Sequence, residues 1–276
     1  MGTQEYFSGK TCVVTGAASG IGYAVSQALL EYGACVCMTD RDTERLASAI
    51  AQLKPHAGRV ESAPLDVTQH EQVRHAIQDV ASRHGRLDVL FNNAGVGAAM
   101  PTAEATLEHW RRVIDLNLWG VIYGIHAALP IMRRQGSGHL VNTSSLAGLL
   151  PIPYQALYNT TKYAVVGLSE SLRFELAPDN IHVSVVCPGA VVSRIWGTPV
   201  IGERFEAKPP ADAIPAEEAA QIMLAGVAKQ QGIIVLPESA RGHWLTYCRT
   251  PEASEKLLME LARQRREAYQ TKGTFY

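Results

Sequence analysis

The stretch Val13-Val14-Thr15-Gly16-Ala17-Ala18-Ser19-Gly20-Ile21-Gly22 (residues 13–22) decides the fold. A β-branched run over Thr11–Thr15 enters a turn that holds Gly16, Gly20 and Gly22, with Ser19 and Ile21 between them. Ile21, Val25, Ala28, Leu29 and Tyr32 then recur at helical spacing, and Gly33 supplies a C-terminal stop. Glycine lets the backbone turn tightly and approach a pyrophosphate, and the helix N-terminus offers the anion free N–H groups and a positive dipole end. A glycine-rich turn alone is a weak signal. Between the first strand and first helix of a βαβ unit it is a strong one.

Outward from that unit, short apolar runs alternate with helical patterns. Strands are expected at Ala34–Thr39, Val60–Leu65, Leu87–Asn92, His139–Ser144, Ile181–Cys187 and Ile233–Leu236. Helices are expected at Thr43–Lys54, from a Thr68/Glu71 capping box to Gly85, at Thr106–Gln135 and Ala156–Ala177, and from Pro215 onward. This alternation predicts an α/β fold: a single doubly wound, Rossmann-type parallel sheet with helices on both faces. Ligands bind such sheets beyond the carboxyl ends of the strands, where Asp40, Asn93, Ser145 and Pro188-Gly189 all fall. A carboxylate at Asp40 can accept hydrogen bonds from the adenosine ribose hydroxyls and would repel a 2′-phosphate, which favours NAD. Arg41 follows at once and could hold a 2′-phosphate or stack on adenine, so NADP stays open.

Ser145, Tyr158 and Lys162 form the chemical set. Tyr158 and Lys162 are i, i+4 on one helix face and can reach the same ligand. A phenol with an ordinary pKa of about 10 becomes a usable acid–base group near neutral pH when an ammonium stands beside it. Ser145, arriving from a strand, can hydrogen-bond the same substrate oxygen.

The chain has 276 residues, 47% hydrophobic and 18% charged, with a formal net charge of −1. That is enough for a large core and gives no basic field for nucleic acid or a membrane surface. No basic-then-apolar leader and no run of about 18 apolar residues is evident, so a soluble cytoplasmic protein is expected. The five cysteines have no C-x-x-C spacing and the nine histidines no metal-ligand spacing; reduced core thiols and no metal are the expectation.

Together these motifs resemble the classical short-chain dehydrogenase/reductase family. The matching pieces are Thr15-Gly16-x-x-x-Gly20-Ile21-Gly22, Asn92-Asn93-Ala94-Gly95, Asn117, Ser145, Tyr158-x-x-x-Lys162 and Pro188-Gly189, in family order over about residues 8–193. The resemblance implies Tyr158 as general acid–base and Lys162 as the group that binds the nicotinamide ribose and lowers the Tyr158 pKa. It implies Ser145 as the holder of the substrate oxygen and Asn117 as support for a water-linked proton relay. Asp66 with the Val67 backbone would contact adenine, Asn93 would lie near the ribose side, and Val191 and Ser193 would fix the carboxamide. Asn117 and Asp66 also have plain structural readings, as a buried amide satisfied by backbone and as a turn former.

The chain departs from the family near its end. After "GIIVLPESARGHW" it continues to residue 276, which puts the family's usual tetramer packing in doubt. A homodimer through helices 106–135 and 156–177 is preferred over a homotetramer. Residues 1–249 are expected to form one catalytic domain, with 194–214 a mobile substrate-side loop. Residues 250–276 are expected to be a helical extension with an apolar stripe at Leu257, Leu258, Leu261 and Ala268 that docks on the body or a second subunit. Pocket candidates are Leu146, Ala147, Leu149, Tyr154, Gln155, Val191, Ile195 and Trp196, mostly apolar, with Arg194 and Arg204 in the loop. The expected activity is hydride transfer between a nicotinamide cofactor and an apolar secondary alcohol or ketone. The competing reading, a cofactor sensor without turnover, would be expected to have lost Tyr158 or Lys162.

Overall fold

Among the described residues, seven short runs of branched and apolar residues pair into one sheet: β1 (Thr11–Thr15), β2 (Cys35–Asp40), β3 (Val60–Pro64), β4 (Val89–Asn92), β5 (Gly138–Thr143), β6 (Ile181–Pro188) and β7 (Ile233–Leu236). All pairings are parallel, in the order β3-β2-β1-β4-β5-β6-β7. The structure is a computed structural model that describes residues 2–53, 56, 58–202, 207–273 and 275. The doubly wound sheet is therefore as expected, and the strand order reverses between β1 and β4. The crevice at that switch point is where such sheets bind ligands.

Helices α1 (Thr3–Phe7), α2 (Gly20–Glu31), α3 (Thr43–Gln52), α4 (His70–His84), α5 (Leu107–Ile114), α6 (Gly120–Gln135), α7 (Ala156–Glu175), α8 (Ala216–Ala228), α9 (Glu238–Arg249) and α10 (Pro251–Lys272) surround the sheet. Neighbouring strand residues point to opposite faces, so β1 feeds two cores. Cys12 and Val14 join Val36, Met38 and Phe91 on one face; Val13 joins Cys37, Leu90 and Leu140 on the other. Each fully buried Leu or Phe contributes about 1.5–3 kcal/mol relative to exposure. Cys12, Cys37 and Cys187 are buried in these layers, and Cys12, Cys35, Cys37, Cys187 and Cys248 are all free thiols.

Several local expectations are corrected. β4 starts at Val89; Asp88 before it pairs its backbone with Thr11 O and His139 N–H, and its carboxylate accepts from Thr11 N–H at 2.8 Å and from Arg86. The Thr68/Glu71 capping box does not form: Gln69 is the N-cap, and Thr68 N–H and Oγ donate to Asp66 Oδ1 at 3.0 and 2.8 Å. Lys54, the expected end of the third helix, lies outside the described residues. The long helix expected at 106–135 is two helices joined by a π-type turn at Asp115–Trp119. The stretch Leu107–Gln135 is long enough, and in one 18-residue window apolar enough (mean hydropathy 1.2), to cross a membrane by length and composition. Its apolar positions Val121, Ile125, Ala128 and Met132 belong to the core here.

Two helices were not anticipated. The short α1 buries Tyr6 and Phe7 under the sheet, and Tyr6 Oη lies 2.8 Å from His139 Nδ1. His139 Nε2 lies 2.9 Å from Ser184 Oγ, whose proton goes to Gln231 O at 2.6 Å. Ser184 must then accept from His139, so Nε2 carries a proton, and in the neutral ring Nδ1 accepts from the Tyr6 hydroxyl. Burial agrees, holding the His139 pKa down at about 3. The second, α9, follows β7 and leads into α10.

Candidate active site

The glycine turn is built by steric necessity at two positions. Gly16 has φ 65°, and a Cβ there would lie 2.8 Å from Ala94 Cα. A Cβ on Gly22 would sit 2.2 Å from Gly16 O and 2.6 Å from Asn93 Nδ2, so only glycine lets α2 start this close to the turn. Thr15 Oγ accepts from the N–H groups of Asn93 and Ala94, both at 3.0 Å, and Asn93 Nδ2 donates to Thr15 O at 3.0 Å. Asn93 thus locks β4 to the turn. Ser19 is the N-cap of α2 but its side chain makes no capping bond, which leaves the first N–H groups of α2 without a side-chain acceptor. That cradle fits the diphosphate of a dinucleotide.

At the end of β2, the Asp40 carboxylate accepts from Ala18 N–H at 3.2 Å and from Asp42 N–H at 3.0 Å. Two backbone donors fix its orientation beside the turn. Arg41 is exposed, and Arg45 is paired with Asp42.

The second half of the site hangs on β5 and α7. Ser145, just past β5, accepts from Ala147 N–H at 3.2 Å and donates to Pro188 O at 3.4 Å. Ser144 Oγ donates to Lys162 O at 2.8 Å and pins α7 to the strand. Lys162 is 3% exposed, and its Nζ donates to Thr143 O at 3.0 Å. Burial lowers the Lys162 pKa to about 8, with a small opposing contribution from Cys187. Its Nζ lies 5.4 Å from the centroid of the Tyr158 ring. The pairing expected from i, i+4 spacing is therefore present.

Asn117 is fully buried in the π-type turn. Its Oδ1 accepts from Val96 N–H at 2.8 Å, and its Nδ2 donates to Val96 O at 2.9 Å. The side chain is committed to the backbone of the loop after β4. π-type turns interrupt regular helix bonding and often mark functional positions.

One cavity of about 1330 Å³ gathers most of these residues along the carboxyl ends of the strands. Gly16, Ser19, Gly20, Ile21, Asp40 and Arg41 line one end, with Asp66 and Val67 beside them. Asn93 stands at the middle, and Ser145, Tyr158, Lys162, Val191 and Ser193 continue the wall. Leu146, Ala147, Gln155, Ile195 and Trp196 border the other end. Gly22 and Asn117 are buried behind the wall, and Leu149 belongs to the core. Tyr154 does not line the cavity; at φ 60° it turns its ring against Phe275, centroids 5.1 Å apart.

The substrate-side loop is closed at its base by a Val191–Ile214 bridge, and Trp196 Nε1 donates to Val191 O at 2.9 Å. Arg204 lies outside the described residues. Lys208, Leu261, Gln264, Arg265, Ala268 and Phe275 also line the cavity and were not named as pocket residues from sequence. The stripe through Leu261 and Ala268 was the available signal, but its docking partner was not legible.

Comparison with known proteins agrees with this architecture. Residues 10–199 match the family model described as short chain dehydrogenase. An uncharacterized oxidoreductase of Staphylococcus saprophyticus is 34% identical over 201 residues, covering 72% of this chain and 86% of that protein. A short-chain dehydrogenase/reductase of Burkholderia phymatum, solved in complex with NAD, superposes with TM-score 0.77 at 27% identity, covering 96% of this chain and 95% of that one. A short-chain dehydrogenase of Streptomyces avermitilis superposes with TM-score 0.76 at 32% identity, covering 93% and 98%. With the glycine turn, the strand order and the Ser-Tyr-Lys set in one cleft, the chain belongs to the short-chain dehydrogenase/reductase family of oxidoreductases.

Proposed function

We propose that the protein transfers a hydride between a nicotinamide cofactor, NAD in preference to NADP, and an apolar secondary alcohol or ketone, with Tyr158 as the general acid–base. The observation that carries this reading is that Ser145, Tyr158 and Lys162 share one cavity with the glycine turn and Asp40. When bound, the nicotinamide supplies or accepts the hydride, and the protein provides orientation and proton handling. Tyr158 gives its hydroxyl proton to the carbonyl oxygen in reduction and takes it back in oxidation. Ser145 donates a hydrogen bond to the same oxygen and so fixes the carbonyl. The Lys162 ammonium favours the phenolate form of Tyr158 through space and is the natural partner of the nicotinamide ribose. Asn117 holds the Val96 backbone and so the cavity floor; the π-type turn around it is the place for the proton relay.

On the adenosine side, Asp40 would accept from the ribose hydroxyls and Asp66 with Val67 would hold the adenine, while Asn93 keeps the turn in place. Val191 and Ser193 would hold the carboxamide. The Asp40 carboxylate, held by two N–H groups, supports NAD over NADP. Asp40→Ala is expected to raise the KM for NAD by roughly tenfold to a hundredfold, the worth of a charged hydrogen bond, and to leave that for NADP unchanged or lower. The check is absorbance of the reduced nicotinamide with each cofactor over a panel of secondary alcohols and ketones. An unaltered NAD/NADP ratio would defeat the assignment of Asp40.

Leu107, Trp119, Tyr163 and Phe174 are large, exposed and apolar on α5, α7 and the π-type turn. They support a homodimer formed through these helices. A monomer in light scattering at micromolar concentration would contradict it.

A further inference from the structure

We infer that α10 is the outer wall of the substrate end of the cavity, so that Leu261 and Ala268, with Phe275 behind them, set how long an alcohol or ketone the enzyme accepts. The inference rests on the proposed reaction and names its specificity element. Leu261, Gln264, Arg265 and Ala268 stand at i, i+3, i+4 and i+7, one face of the helix, and all four border the cavity that holds Tyr158. The opposite side of α10 faces solvent, with Met259 67% exposed. The helix therefore spends part of its apolar stripe on the cavity rather than on the sheet.

The wall is registered against the segment that carries the chemistry. Arg265 Nη1 donates to Pro153 O at 2.6 Å, between Ser145 and Tyr158 in sequence. That segment is held from two other sides: Met100 N–H donates to Tyr154 O at 2.9 Å, and Asn159 Nδ2 donates to Ile152 O at 2.9 Å. After the left-handed cap at Gly273, the chain folds back and buries Phe275. Its ring stacks on Tyr269 at 4.6 Å, and the Tyr269 hydroxyl donates to Glu104. A wall tied at Pro153, Tyr154 and Glu104 keeps a fixed position relative to Tyr158, which a specificity element requires. Its apolar members select for a substrate with an apolar body that runs from the reacting carbon to α10.

The test compares a homologous series of methyl ketones, short to long, on the full chain and on Ala268→Trp, Leu261→Ala and the exposed-face control Met259→Ala. Both kcat/KM and equilibrium binding to the cofactor-loaded protein are measured. Ala268→Trp narrows the cavity, and the ratio of longest to shortest ketone should fall by about tenfold or more, the scale of at least one methylene of pocket contact. Leu261→Ala removes contact with the long members and should lower the same ratio by about tenfold, with NAD affinity as in the unsubstituted chain. Met259→Ala should leave the ratio where it was. Length profiles in the Ala268 and Leu261 variants that match the unsubstituted chain, or ketone binding that does not depend on length, would overturn the inference. Length-dependent binding that the variants shift, without turnover, would keep the wall and refute the reaction; turnover with an unshifted profile would do the reverse.

Discussion

Lys162→Met is expected to abolish turnover and, in the cofactor-free protein, to raise thermal stability. The ammonium is 3% exposed, and burial brings its pKa from 10.5 to about 8. That difference corresponds to roughly 3 kcal/mol of penalty on the charged form in the folded state. Methionine fills similar space without a charge. Loss of the bond to Thr143 O takes back about 1 kcal/mol, so a net gain of about 2 kcal/mol remains. For a chain this size the melting temperature should rise by roughly 4–8 °C.

The sign with pH follows from the same values. Between about 8 and 10.5 the folded protein has released the Lys162 proton while the unfolded chain still holds it. Stability of the unsubstituted protein should therefore climb with pH across that window, and below about 8 the penalty is complete. Lys162→Met should lose this climb. Calorimetric melting over the window checks it, and a variant less stable than its parent at neutral pH would show that the buried charge is not a cost. Keeping a destabilising ammonium beside Tyr158 makes sense in a site that uses it.

Tyr158→Phe is expected to lower kcat by about 10²–10⁴-fold, which is about 2.7–5.5 kcal/mol of barrier. Only the hydroxyl is removed. The ring keeps its place over the cavity and beside Lys162, so NAD affinity should stay within a factor of a few. A fall in kcat with an intact cofactor Kd separates loss of the proton donor from loss of the binding site. Ser145→Ala offers the contrasting case, because Ser145 orients the oxygen and does not exchange its proton with the substrate.

The glycine turn, the βα alternation and the Tyr-x-x-x-Lys spacing were legible because each rests on local geometry. Gly16 is required by its φ and Gly22 by a carbonyl 2.2 Å from the missing Cβ, and both demands show in the residue type itself. Asp88 also ties β4 to β1 through its carboxylate, a contact no periodicity reveals. The Thr68 box failed because Asp66 takes the Thr68 N–H that Glu71 would have accepted, and the Thr68 hydroxyl proton as well. The sequence marked α10 as a docking helix that could cover a substrate pocket or lengthen an interface, but not where it docks. Its stripe announces a docking face, but Pro153 and Glu104, which receive it, are far away in sequence. Asn117 was identifiable as a position, while the π-type turn at Asp115–Trp119 that holds it was not.

The central claim is that this cavity moves a hydride, and a labelled hydride tests it most directly. The protein is incubated with NADH carrying deuterium at the transferred position and with the ketone series, and the alcohols are examined by mass spectrometry. The account predicts one deuterium on the carbinol carbon with the unsubstituted chain and essentially none with Tyr158→Phe at equal cofactor occupancy. Cofactor bound at full occupancy, with no label in any alcohol, would contradict it and leave a cofactor sensor in its place.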